Sequence, residues 1–356
     1  MNTKIIKVDE RKLQQEELQE AAKILREGGL VAFPTETVYG LGANALDSGA
    51  ARKIYEAKGR PSDNPLIVHI SEVSDLDILA REIPDDAYQL ATVFWPGPLT
   101  IILKKRDCVP YGTTGGLDTV AIRLPANPIA RSLIADSGVY VAAPSANLSG
   151  KPSPTKAEHV IKDMSGKIDM IIDGGMATLG LESTIIDLSG STPMILRPGC
   201  ITKMMLENVI GPIEIDPAIL SKNPDLGTAP KAPGMKYRHY APEGKLTIYE
   251  GETALVIDAI NQKAKRKLDS GKCVGVIATD ETKALYQYGI VKTIGSRKDE
   301  ASIAAGLYAI LREFDELHTE YIYTESFADN SLGHAIMNRL LKAAGYRVVK
   351  VLDGEE

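Results

Sequence analysis

Gly28-Gly29-Leu30-Val31-Ala32-Phe33-Pro34-Thr35-Glu36-Thr37, residues 28–37, decides the fold class. Just upstream, Leu18, Ala21, Ala22 and Leu25 recur at helical spacing between Glu16 and Gly28, and the glycine pair offers a C-terminal stop. Leu30 to Phe33 then reads as a buried strand ending at Pro34, with hydroxyls and a carboxylate directly after it. A helix, a buried strand and a polar cluster at the strand end make up the repeating unit of an α/β sheet. Ligand-binding residues favour that location.

Working outward, the same unit recurs to about residue 210. Strands are expected at 65–70, 99–103, 119–124, 139–143, 168–173, 183–188 and 194–197. Helices are expected at 50–57, 75–82, 85–94, 128–136, 155–164 and 202–209. From Gly211 to Gly244 the periodicity stops and prolines recur. A plain linker favours Ser, Gly and Glu, whereas Met235-Lys236-Tyr237-Arg238-His239-Tyr240 packs cations with aromatics, as if to lie on something anionic. Beyond Lys245 the α/β pattern resumes at Leu246–Tyr249 and Ala254–Ile257, a Lys-rich helix and Val274–Ala278. Ala301–Phe314, Tyr321–Tyr323 and His334–Ala344 complete a smaller βαβ-type domain. The expected division is 1–210, a linker over 211–244 and 245–356.

The 356 residues carry 41 Lys and Arg against 47 Asp and Glu, a net charge of −6 that argues against a wholly basic nucleic-acid binder but leaves room for a local basic cleft. Cys108, Cys200 and Cys273 are scattered without CxxC spacing, which predicts neither a disulfide framework nor a zinc site and fits a reducing cytoplasm. The charged start MNTKIIKVDE does not read as a signal peptide, and no run reaches the ~18 apolar residues of a membrane span. A soluble, cytoplasmic protein is expected.

HExxH, GxSxG, Walker A and GxGxxG patterns are all missing, so protease, hydrolase and P-loop readings lack support. Six polar clusters at strand ends remain, the first of them running from Phe33 to Gly42. In Lys58-Gly59-Arg60 the cations either cap a helix end or clamp a polyphosphate. His69, on an apolar strand, reads first as a core residue. Thr119 and Arg123 share one strand face, and an inward Arg123 would suit a carboxylate. Ser145-Ala146-Asn147, Glu182-Ser183-Thr184 and Arg197-Pro198-Gly199 supply further donors. With no Ser–His or Cys–His pair evident, the set suits positioning and charge stabilisation of phosphate rather than covalent catalysis.

These segments resemble the threonylcarbamoyl-AMP synthases, in their long form with a YrdC-like catalytic domain and a smaller C-terminal domain. The matching motifs are FPTETVYGLG (33–42), Lys58-Gly59-Arg60, DNPLIVHI (63–70), WPGPLT (95–100), GLDTVAIRLP (116–125), Ser145-Ala146-Asn147, LESTIID (181–187), LRPG (196–199) and APGMKYRHYAP (232–242). The resemblance implies a YrdC-like twisted mixed sheet with flanking helices, followed by a Rossmann-like α/β domain. It implies condensation of L-threonine, bicarbonate or CO2, and ATP into L-threonylcarbamoyl-AMP with release of pyrophosphate. The product supplies the threonylcarbamoyladenosine modification of tRNA beside the anticodon, through the downstream tRNA threonylcarbamoyl transferase machinery.

On this resemblance Lys58 and Arg60 are the catalytic cations. ATP is expected at Lys58, Arg60, Ser62, Thr119, Ser145, Asn147, Ser153, Arg197, His239 and Tyr240. L-threonine is expected at Thr35, His69, Arg123, Ala143 and Ser183. Mg2+ is expected with ATP and no organic cofactor. The linker is expected to close over the pocket as a lid, and a weak RNA contact stays open. Rival readings are a non-catalytic double-stranded RNA-binding module and a carbamoyltransferase using carbamoyl phosphate.

Overall fold

The computed structural model describes residues 2–13, 15–220, 230–233, 240–327 and 331–352. The chain divides into two compact units, Met1–Ser149 with Ser153–Tyr237, and Gly150–Pro152 with Arg238–Glu356.

In the first unit the strands are β1 (Lys4–Lys7), β2 (Val31–Phe33), β3 (Gly40–Asn44), β4 (Ile67–His69), β5 (Ala80–Arg81) and β6 (Leu99–Lys105). They continue as β7 (Thr119–Arg123), β8 (Val141–Ala142), β9 (Met170–Asp173), β10 (Thr184–Asp187), β11 (Met194–Arg197) and β12 (Glu214–Ile215). They form one mixed sheet in the order β1-β9-β2-β3-β8-β4-β7-β6-β10-β11-β12, with β5 paired to β6. β4 runs parallel to β7 and β10 parallel to β6, whereas β6 and β7 are antiparallel.

Alternation along these central strands separates two faces. Val68, Ile101, Val120, Ile122 and Ile186 point into the main core. Ile67, Ile102, Ala121 and Ile185 point the other way and form a smaller apolar floor with Leu196 and Ala232. By the same parity His69, Thr100, Thr119 and Arg123 stand on the floor side. Flanking helices are stopped by their own sequence. Asp47 caps helix Ser48–Lys58 by accepting from Gly49 N, and Gly59 ends it at φ 61°. Asn127 caps helix Pro128–Ser137 through Ile129 N and Ala130 N.

In the second unit, β13 (Lys245–Gly251), β14 (Val274–Ala278), β15 (Ile290–Thr293), β16 (Tyr321–Glu325) and β17 (Val348–Val351) make a five-stranded sheet in the order β15-β14-β16-β13-β17. All four pairings are parallel. Helices Thr253–Asp269, Glu300–Glu316 and Ser331–Ala343 accompany these strands. A small parallel sheet with helical crossovers is Rossmann-like, as expected.

Three expectations change. Ala254–Ile257 is the opening of helix Thr253–Asp269 and no separate element. Gly40–Leu41–Gly42, the end of the first polar cluster and no expected strand, lies in β3. The linker does not begin at Gly211, because β12 pairs with β11 and helix Pro217–Leu220 follows. No helix among the described residues is long and apolar enough to cross a membrane.

Candidate active site

Beyond the end of β2 the chain turns on Thr35, whose Oγ1 donates to the Val38 carbonyl (2.6 Å) and lies 2.8 Å from Thr37 Oγ1. Next to it Glu36 Oε1 accepts from Arg123 Nη2 at 2.6 Å, with both side chains buried. Arg123 Nη1 donates to Thr37 Oγ1 (3.0 Å) and Nε to the Gly97 carbonyl (3.3 Å). Those bonds use three of five guanidinium donors, leaving one N–H on each terminal nitrogen. Burial would raise the Glu36 carboxyl, but the Arg123 charge and hydrogen bond outweigh it and hold the group below its ordinary value. Glu36 Oε2 has no hydrogen-bond partner although it is buried.

His69 and Arg123 are register partners in β4 and β7. Burial first, then the Arg123 charge, pushes the His69 imidazole from 6.5 down to about 3, so it is neutral at neutral pH. Its Nδ1 lies 3.1 Å from the Ile67 carbonyl, which can only accept. A ring proton on Nδ1 satisfies that carbonyl. Ala143 N donates to the same Ile67 carbonyl at 2.8 Å. His69 and Arg123 thus end adjacent strands, the Ala143 backbone meets the start of β4, and Arg123 reaches Thr37 beside Thr35.

These shifts give a pH prediction. Between about pH 6.5 and 3 the unfolded chain binds a proton at residue 69 that the native chain does not, so stability falls as pH falls through that window. Glu36 adds its own loss at lower pH, below the ordinary carboxyl value. Thermal unfolding across this range checks the sign. His69→Gln is expected to flatten the slope above about pH 5, and an unchanged slope would move the acid sensitivity elsewhere.

Lys58, the last residue of helix Ser48–Lys58, is 2% exposed, and its Nζ donates to the carbonyls of Ser145 and Asn147. Ser145 Oγ donates to Asn147 Oδ1 (2.6 Å), and Asn147 Nδ2 to the Leu148 carbonyl (2.8 Å). Lys58 and the Ser-Ala-Asn loop are therefore one assembly. The Lys58 ammonium is buried and is the tie that folds the loop. Arg60 is half-buried, and its Nη2 donates to the Pro65 carbonyl at 3.1 Å. Thr119 is half-buried on the floor face at the start of β7. Ser62 lies apart from this assembly, exposed beside a depression lined by Arg52, Tyr55 and Tyr111.

Ser183 joins the same face from the chain entering β10. Its Oγ lies 2.7 Å from Thr100 Oγ1 and accepts from Arg197 Nη2 at 3.1 Å. Ser153, 1% exposed, donates to Glu182 Oε1 at 2.6 Å. Ala232 is fully buried on the apolar floor, and the Pro233 carbonyl accepts from Arg197 Nη1 at 3.4 Å. His239 lies outside the described residues. Tyr240 belongs to the second unit, where its ring packs on that of Tyr308 with centroids 5.2 Å apart.

The reading from sequence assigned no role to Glu36, Thr37 or Thr100, and named Glu182 only within its cluster. Glu36 and Thr37 stood inside the quoted motif, and Thr100 was open to strand parity. Nothing in the sequence pairs Glu182 with Ser153.

A mixed sheet with one polar, cation-bearing face, followed by a small parallel domain, is the architecture of a two-domain YrdC-like enzyme. Residues 23–199 match the family described as "Telomere recombination", and residues 201–345 the family described as "Threonylcarbamoyl-AMP synthase, C-terminal domain". The threonylcarbamoyl-AMP synthase of Bacillus subtilis (strain 168) is 50% identical over 343 residues, covering 96% of this chain and 97% of that protein. That of Pyrococcus abyssi is 50% identical over 349 residues, covering 98% and 100%. The crystal structure of P. abyssi Sua5 complexed with L-threonine matches at TM-score 0.93 and 49% identity, covering 98% of this chain and 100% of that one. The chain belongs to the threonylcarbamoyl-AMP synthase family, and so to the nucleotidyltransferase-type enzymes.

Proposed function

We propose that this chain condenses L-threonine, bicarbonate or CO2, and ATP into L-threonylcarbamoyl-AMP, releasing pyrophosphate, and that the product supplies threonylcarbamoyladenosine in tRNA. The observation that carries this is the end-to-end match to the P. abyssi synthase, at 50% identity.

The geometry suits the chemistry. Threonine's amine loses a proton and adds to CO2, and a carbamate oxygen attacks the α-phosphorus of ATP as pyrophosphate leaves. The two remaining N–H groups of Arg123 take the threonine carboxylate, and His69 contacts its hydroxyl or amine. Thr35, the Ala143 backbone and Ser183 complete that subsite. Arg60, Thr119, Ser145, Asn147, Ser153 and Arg197 hold ATP, with Lys58 fixing the loop that carries Ser145 and Asn147. The apolar floor of Ile67, Ile102, Ala121, Ile185 and Leu196 keeps water from a short-lived carbamate.

Ala232 is seated on that floor, and the Pro233 carbonyl beside it accepts from Arg197. Mg2+ enters with the triphosphate, as phosphoryl transfer normally requires. When bound it neutralises charge spreading over the phosphates.

Pyrophosphate release that needs ATP, threonine and bicarbonate together is the expected result. A carbamoyltransferase would need carbamoyl phosphate instead, and an RNA-binding module would release nothing. Either result would overturn this reading.

A further inference from the structure

The three residues Gly150–Pro152 interrupt the first unit. They group with the second, while Ser145, Asn147 and Ser153 on either side stay with the first. Helix Glu300–Glu316 of the second unit presents Tyr308, Arg312 and Asp315 at positions i, i+4 and i+7, one face of a helix. Each holds a piece of chain. Tyr308 stacks on Tyr240, and an Asp315 carboxylate oxygen accepts from Glu243 N at 2.7 Å. Arg312, only 5% exposed, donates from both Nε (3.1 Å) and Nη2 (2.6 Å) to the Pro152 carbonyl. Ala241 N donates to the Gly150 carbonyl (2.9 Å), and Lys151 Nζ lies 3.5 Å from Glu243. The segment that ends the linker and the segment that precedes Ser153 are fastened to the same helix face.

A guanidinium is rarely buried without a task, and two of its donors converge here on a single backbone oxygen. That oxygen shares its peptide plane with Ser153 N. Prolines at 152 and 154 stiffen the chain on both sides of Ser153. An orientation imposed on the Pro152 carbonyl therefore reaches Ser153 with little play, and Ser153 in turn carries a hydrogen bond to Glu182.

We infer that Arg312 is a positioning residue for the ATP subsite. It orients the Pro152–Ser153 peptide plane and thereby the Ser153 hydroxyl. This rests on the synthase reading above, in which Ser153 belongs to ATP.

The test is calorimetry of ATP and of L-threonine on the full-length chain, comparing wild type with Arg312→Met and Arg312→Lys. Met keeps the packing volume without a donor, whereas Lys restores one donor. Arg312→Met is expected to weaken ATP about tenfold, the worth of one lost charge-assisted hydrogen bond, with threonine affinity changed less than about twofold. Arg312→Lys is expected to fall between Met and wild type. A merely structural arginine would move both ligands equally or neither, and either outcome overturns the inference. If Arg312→Met does not fold, Arg312→Lys decides alone: weakened ATP with unchanged threonine supports it, and unchanged ATP refutes it. Pyrophosphate release by the wild-type chain, measured alongside, reports on the synthase reading independently of these affinities.

Discussion

An Arg123→Ala variant is expected to lose threonine affinity and fold stability together. The affinity loss comes from removing the two N–H groups left for the substrate carboxylate, about 1.5–3 kcal/mol or roughly 10- to 150-fold. The stability loss comes from Glu36, whose buried carboxylate would be left without its partner 2.6 Å away. Breaking a buried pair from one side costs about 3–5 kcal/mol, whereas removing both charges together is often close to neutral. A double variant separates the two effects. Arg123→Met with Glu36→Gln is expected to recover most of the stability and none of the threonine affinity. Recovery of both would reduce Arg123 to a structural ion pair, and calorimetry with denaturant unfolding reads the two quantities apart.

That pair also shows what the sequence could and could not disclose. Strand parity alone places Thr119 and Arg123 on one face, because the period of a strand is two residues and both are odd-numbered members of β7. It does not say which face is buried, and the partner that decides it, Glu36, lies 87 residues away. β3 escaped notice for a different reason. Gly40 and Gly42 look like turn residues, yet a Cβ at Gly42 would come within 2.8 Å of both Phe33 and Val141, so the glycine is there for close strand packing. β1 is a mostly exposed strand at the edge of the sheet, with a lysine at each end and no buried alternation to read. β12 has two residues, too few for any period. The fold class and most strand-end clusters were legible because they depend on local pattern. The ties between clusters, Ser153 with Glu182 and Lys58 with the 145–147 loop, depend on distant chain meeting in space.

Lys58 and Arg60 form the sharpest contrast, since they share one motif and are expected to fail in different ways. Lys58 is buried and donates to two loop carbonyls, while Arg60 is half-buried and donates to carbonyls in its own loop. Lys58→Ala strands the Ser145 and Asn147 carbonyls, at about 1–3 kcal/mol for each acceptor left dry. The chain is therefore expected to unfold at clearly lower denaturant concentration and to lose pyrophosphate release, because the loop carrying Asn147 is no longer held. Arg60→Ala removes a cation assigned to phosphate. Its expected cost is on the order of 100-fold in turnover, comparable to losing one preorganised donor to the transition state. Its unfolding midpoint is expected to stay near wild type, since the carbonyls it leaves lie in a part-buried loop that water can reach. Adding ATP should then stabilise Arg60→Ala less than wild type, because binding to the native state adds RT ln(1 + L/Kd), with L the free ATP concentration, which shrinks as Kd rises. An Arg60→Ala chain with full turnover would take the phosphate role from that residue. A Lys58→Ala chain that is fully stable yet inactive would return the lysine to the substrate and away from the loop.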